Sequence, residues 1–123
     1  MGRPEIRKEM VTLSARRQQC ENELLAFRHS MAKGSLYSQY TSCAKAGCRC
    51  MNGQKHGPFY YLSFKEEGRS RVQYIGKLVP PRLAKQLERY REFGKRLHEL
   101  RKLDRSLTEL WNQFREGLIV ERG

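Results

Sequence analysis

The sequence predicts an α+β fold: two long helices, paired as an antiparallel coiled-coil-like hairpin, flanking a small zinc-stapled β-hairpin unit. Three observations predict it. Apolar residues recur at steps of 3 and 4 near both ends of the chain, the period of a helix face. Between them lies Phe59-Tyr60-Tyr61-Leu62-Ser63-Phe64, an aromatic run of strand character. Just before that run, Cys43, Cys48, Cys50 and His56 follow the spacing C-x4-C-x-C-x5-H.

The chain has 123 residues, the length of one domain, and the elements divide it into a helix over residues 4–32, a metal-binding β unit over 34–78 and a long helix over 80–117. Pro4 suits the first turn of the first helix. Its apolar seam, Ile6, Met10, Leu13, Arg17, Cys20, Leu24, Phe27 and Met31, is a regular heptad interrupted by Arg17. Cys20 lies on the seam, far from the other cysteines, and reads as a packed thiol rather than a ligand. Gly34 ends the helix, being tolerant of left-handed geometry.

Residues 35–42 alternate around Leu36, Tyr37 and Tyr40 and suit a short strand. After the cysteine loop, Phe59 to Phe64 forms the clearest strand, Lys65-Glu66-Glu67-Gly68 a turn, and Arg69 to Gly76 the return strand. So small a hairpin is marginal alone, and a bound metal at its base supplies the missing stability. Pro80-Pro81 starts the last helix, which carries Leu83, Leu87, Tyr90, Phe93, Leu97, Leu100, Leu103, Leu107, Leu110, Trp111 and Phe114. At 1.5 Å per residue it is roughly 55 Å long. A seam of that length calls for the first helix, a second copy of the chain, or a partner protein; a homodimer or a partner bound through the helices is expected.

The cysteine loop holds the donor set of a closed structural zinc site, Cys3His. Gly47 lets the chain turn between Cys43 and Cys48, Asn52-Gly53 marks a second turn, and His56 closes the set. Lys45, Arg49 and Lys55 favour the thiolate forms that bind metal. Three plainer readings stand beside a Zn2+ site: a disulfide, disfavoured in a reducing compartment with no signal peptide ahead of it; free buried thiols, at odds with the polar neighbours; and a reactive cysteine, for which no base is marked. Four protein donors leave no open position for catalysis.

Gly34-Ser35-Leu36, the cysteine cluster and His56-Gly57-Pro58-Phe59-Tyr60-Tyr61-Leu62 together resemble a family of small, basic, uncharacterised proteins of bacteria, archaea and their mobile elements. The resemblance covers roughly residues 32–115. It implies a GSL start, a C-x4-C-x-C core followed by His-Gly-Pro, a short hairpin and a long C-terminal helix. It also implies metal binding and a mobile-element, phage or defence setting, but no settled activity.

Charge dominates the composition. Lys and Arg number 25 against 13 Asp and Glu, a net charge of +12, distributed as +3 in residues 1–33, +5 in 34–79 and +4 in 80–123. The hydrophobic fraction of 38% is below the usual for globular chains, so a large central core is not expected. A positive surface without a basic tail suits a polyanion, and nucleic acid, DNA or RNA, is the expected partner. The β unit interleaves cations with aromatics at Arg49, Lys55, Tyr60, Tyr61, Lys65, Arg69, Arg71 and Tyr74, which form the expected nucleic-acid surface. The plain alternative is that these tyrosines pack inward. The competing functional reading is an assembly factor that recruits another protein through its helices, with a purely structural metal. An enzyme is not expected: no paired carboxylates or glycine-rich phosphate loop is present, and His29 and His98 are isolated. No apolar run approaches the roughly 20 residues of a membrane span, so a cytoplasmic protein is expected.

Overall fold

The computed structural model describes residues 2–42, 47, 53 and 55–120. It is α+β, with helix α1 (Arg3–Leu25), strands β1 (Ser35–Thr41), β2 (His56–Glu66) and β3 (Arg69–Gly76), and helix α2 (Pro81–Glu116). The hairpin expected from sequence is the second half of a three-stranded antiparallel sheet in the order β1-β2-β3. The single domain expected over 1–123 divides into two compact units, residues 1–28 with 91–123, and residues 29–90, so α2 contributes to both.

The first unit is helical. Pro4 stands in the first turn of α1, and the Glu5 carboxylate accepts a hydrogen bond from the Gly2 N–H at 2.6 Å, satisfying one of the donors a helix start leaves open. Ile6, Met10, Leu13 and Cys20 on α1 are buried together with Leu103, Leu107 and Leu110 on α2, and Leu24, Leu100 and Phe114 pack against them. Contacts run in opposite order along the two helices: Arg7 lies over the Phe114 ring at 5.1 Å, Cys20 Sγ donates to the Arg96 carbonyl at 3.1 Å, and Phe27 meets Phe93 edge-on at 5.3 Å. The helices are therefore antiparallel in this unit. Arg17, the polar break in the heptad, is paired with Asp104 on α2 and Glu21 on α1. The hydrogen bond that its guanidinium donates to the Asp104 carboxylate, with the negative charges of Asp104 and Glu21, raises its pKa above the ordinary arginine value. Cys20 is a buried free thiol, as its place on the seam suggests.

This core is narrow, so each buried leucine carries much of it. Leu103→Ala removes a side chain that is 6% exposed and is expected to cost about 2–5 kcal/mol, read as a lowered urea midpoint with unchanged slope.

The first helix ends seven residues earlier than the boundary expected at residue 32. The apolar period does continue through Phe27 and Met31, but after the Ala26 and Phe27 N–H groups close the last turn on Asn22 and Leu24, the backbone at Ser30 and Ala32 finds partners elsewhere. In the second unit the Ala32 N–H donates to the Gln86 carbonyl at 3.1 Å, and the Arg89 guanidinium donates to the Ser30 carbonyl at 3.0 Å. Gln86 Nε2 adds a bond to Ser30 Oγ at 2.9 Å. Side-chain periodicity carries no information about such distant backbone partners.

The sheet belongs wholly to this second unit. β1 pairs with β2 through Leu36↔Leu62, Tyr37↔Tyr61 and Gln39↔Phe59, and the register shifts before Thr41↔His56. β2 pairs with β3 through Tyr61↔Tyr74, Ser63↔Val72 and Glu66↔Arg69, with a bulge beyond Tyr61. Glu66↔Arg69 leaves Glu67-Gly68 as a two-residue turn, tighter than the four-residue turn expected; both residues have positive φ, 52° and 78°. Among the described residues of this unit, Leu62 on β2 and Leu87 on α2 are the buried apolar side chains.

Candidate nucleic-acid interface

Side chains alternate across a strand, so the register sorts the sheet into two faces. One face carries Leu62, with Leu36, Tyr60 and Phe64 half-buried on the same side. The other carries Tyr37, Phe59, Tyr61 and Tyr74, with Gln39, Ser35, Ser63, Val72, Ser70 and Lys65 around them. No residue of this second face is buried. Tyr37 and Tyr61 stack with centroids 5.5 Å apart and planes within 18°. Tyr61 meets Tyr74 at 5.3 Å and 54°, and Tyr74 meets Phe59 at 6.5 Å and 58°. The result is an aromatic row crossing all three strands, with Tyr74 54% and Val72 58% exposed.

The expected nucleic-acid surface is thus divided. Tyr61, Tyr74 and Lys65 share the aromatic face. Tyr60, Arg69 and Arg71 point to the opposite face by strand parity, and Arg71 Nε lies 3.4 Å from a Glu66 carboxylate oxygen. Lys55 is exposed immediately before β2. Arg49 lies outside the described residues. Tyr37 and Phe59 belong to the row although sequence reading did not select them. The parity of Phe59 with Tyr61 along one strand was visible in principle; the pairing that brings Tyr37 opposite Tyr61 was not.

Three of the expected metal ligands, Cys43, Cys48 and Cys50, also lie outside the described residues. His56 is exposed at the start of β2 and pairs with Thr41 at the end of β1. The connection that carries the three cysteines therefore starts and ends at neighbouring positions on the sheet.

The motif glycines have a geometric reason. A Cβ on Gly57, at φ 134°, would stand 2.7 Å from the Gln39 carbonyl oxygen and 3.2 Å from the Tyr40 Cα. A Cβ on Gly34, at φ 145°, would stand 2.8 Å from Leu62 Cδ1 and 2.9 Å from the Ser63 carbonyl oxygen. At both places β1 or its approach lies against β2 too closely for a side chain.

Charge follows the same division of the chain. Residues 29–90 hold 11 Lys and Arg against 3 Glu, a net +8. The helical unit holds 14 against 10, a net +4. Two-thirds of the excess thus falls in the sheet unit. Among the described residues no helix is long and apolar enough to cross a membrane.

No curated protein and no solved structure matches the chain. Residues 10–85, more than half of the chain, match the family described as Domain of unknown function (DUF6788). The matched span takes in most of α1, the cysteine-bearing connection, the whole sheet with its two constrained glycines, and the start of α2. The chain belongs to the DUF6788 family, whose function is unknown.

Proposed function

We propose that the sheet unit is a metal-closed nucleic-acid-binding module, acting without catalysis as an accessory part of a nucleoprotein complex. The observation that carries the reading is an aromatic row, half-buried at Tyr37, Phe59 and Tyr61 and exposed at Tyr74, on a unit of net charge +8. Cations draw in phosphates and aromatic rings meet bases, and a binding surface for nucleic acid needs both. Zn2+ held by Cys43, Cys48, Cys50 and His56 has a structural role: the four donors complete a tetrahedral shell and would pin the β1–β2 connection. The Thr41↔His56 pair supports that set, because it returns His56 to the base of the connection. The mobile-element, phage or defence setting suggested by the family-like motifs fits a basic accessory protein, and thiol ligands fit a cytoplasmic one.

The second reading, an assembly factor acting through the helices, is favoured by Val11 and Trp111, 70% and 58% exposed on the helical unit. The heptad seam supports it less, since its stretch from Ile6 to Cys20 is already buried against Leu103, Leu107 and Leu110 within the chain. A homodimer or a partner protein would have to use such outer residues. Leu107, 8% exposed, reports on folding rather than docking.

Titration of labelled nucleic acid at several salt concentrations tests the proposal. Log affinity is expected to fall linearly with log salt, by orders of magnitude between low and moderate concentrations. Lys65→Ala with Arg69→Ala, at the exposed hairpin tip, is expected to lower the slope by up to about two, at similar cost for every sequence. An unchanged slope, with partner binding lost on Trp111→Ala, would favour the assembly reading.

A further inference from the structure

We infer that the aromatic face of the sheet selects unpaired bases, so that its occupant is single-stranded nucleic acid rather than duplex. The inference rests on the nucleic-acid reading above and specifies its substrate. Phosphate attraction alone does not distinguish the two, because both strands and duplexes carry the charge. The aromatic row does. A duplex hides its base faces in the stack and is read by elements narrow enough to enter a groove, a helix or a two-stranded ribbon. A three-stranded sheet carrying aromatic rings across all its strands instead offers π-faces and edges that unstacked bases can meet.

The rings differ in what they offer. Tyr37 and Tyr61 lie within 18° of parallel at 5.5 Å, an offset stack in which each ring shields part of one face of the other and braces the row. Tyr74 is turned 54° from Tyr61, is 54% exposed and stands on the edge strand β3. It is the ring with most free surface for a base. Toward the hairpin turn the next cross-strand positions on this face are Ser35, Ser63 and Val72, and then Lys65 opposite Ser70. They place hydroxyl groups, an ammonium and the exposed Val72 side chain beside the row. The row runs across the strands, so a bound nucleic-acid strand would cross the sheet rather than follow a β-strand.

The test uses the full-length protein with its metal, titrated with labelled single-stranded DNA, single-stranded RNA and duplex of one sequence at two salt concentrations. Single strands are expected to bind roughly tenfold tighter than duplex or more, and a preference for either sugar supports the inference. Tyr74→Leu keeps an apolar strand residue and removes the ring. It is expected to weaken single-strand binding about 5- to 150-fold with the salt slope unchanged, whereas Tyr74→Trp retains it. Duplex bound as tightly as single strands overturns the inference and leaves the nucleic-acid reading standing. So does unaltered single-strand affinity in Tyr74→Leu. Absence of binding to all three probes overturns the nucleic-acid reading itself. If Tyr74→Leu fails to fold, Tyr74→Trp and the single-strand to duplex ratio of the unaltered protein decide the matter.

Discussion

Removing the metal from the cysteine loop is expected to unfold the sheet unit while the helical hairpin keeps its structure. The two units differ in how they are held. The helical unit buries seven residues from two helices in one cluster. The sheet unit has Leu62 and Leu87 as its buried apolar side chains among the described residues, too little to stabilise a unit of this size by burial alone. Structural zinc sites contribute about 10–16 kcal/mol of apparent binding free energy in small metal-stabilised domains. A Cys3His site at the base of the sheet would therefore dominate the stability of this unit. The chain carries its own reporters: all six tyrosines lie within residues 29–90, and the single tryptophan, Trp111, lies in the helical unit. Chelation, or Cys48→Ser, is expected to abolish the near-ultraviolet tyrosine signal and to change tryptophan emission little. Elemental analysis should find one zinc per chain. Metal well below one equivalent, with Cys48→Ser retaining its tyrosine signal, contradicts the site.

Gly57→Ala is expected to be the most damaging single substitution outside the loop. Its new methyl would meet the Gln39 carbonyl oxygen at 2.7 Å and the Tyr40 Cα at 3.2 Å, both backbone atoms of β1 that no rotamer change can move. The residue also sits at φ 134°, where side chains carry a strain of their own. Relief requires β1 to separate from β2 beside the Gln39↔Phe59 pair, next to the entrance of the cysteine loop. A loss of about 3 kcal/mol or more is expected, measured by chemical unfolding followed through tyrosine. Gly94→Ala is the control: its Cβ meets nothing within 4 Å in the interior of α2, and a small gain is expected. If Gly57→Ala unfolded within about 0.5 kcal/mol of the unaltered protein, the β1–β2 register would be wrong.

What was legible in the sequence followed local rules. The aromatic run, the Glu67-Gly68 turn and Pro80-Pro81 lie where the strands, hairpin and long helix form. The heptad identified the face of α1 that is buried, including the role of Cys20. What was not legible depended on distant pairing. Beyond the end of α1, Ser30 and Ala32 bond to Arg89 and Gln86, while the apolar spacing runs on past Leu25. The candidate surface was chosen by composition, so Tyr60 and Arg69 were grouped with Tyr61 and Tyr74 although strand parity separates them. Tyr37 became a member of the row only through the register that sets it opposite Tyr61. The concentration of charge in the sheet unit was hidden for a similar reason. Segments taken in sequence order gave nearly even excesses, and only the division of α2 between two units gathers Arg82, Lys85 and Arg89 with the sheet.

The most direct measurement is amide chemical-shift mapping of the metal-loaded protein with a short single-stranded oligonucleotide. Perturbations are expected to concentrate in the sheet unit, strongest at Tyr37, Phe59, Tyr61, Lys65, Val72 and Tyr74, with little change along residues 3–25 and 91–116. Perturbations confined to the helical unit, or none at saturating oligonucleotide, would contradict a nucleic-acid surface on the sheet.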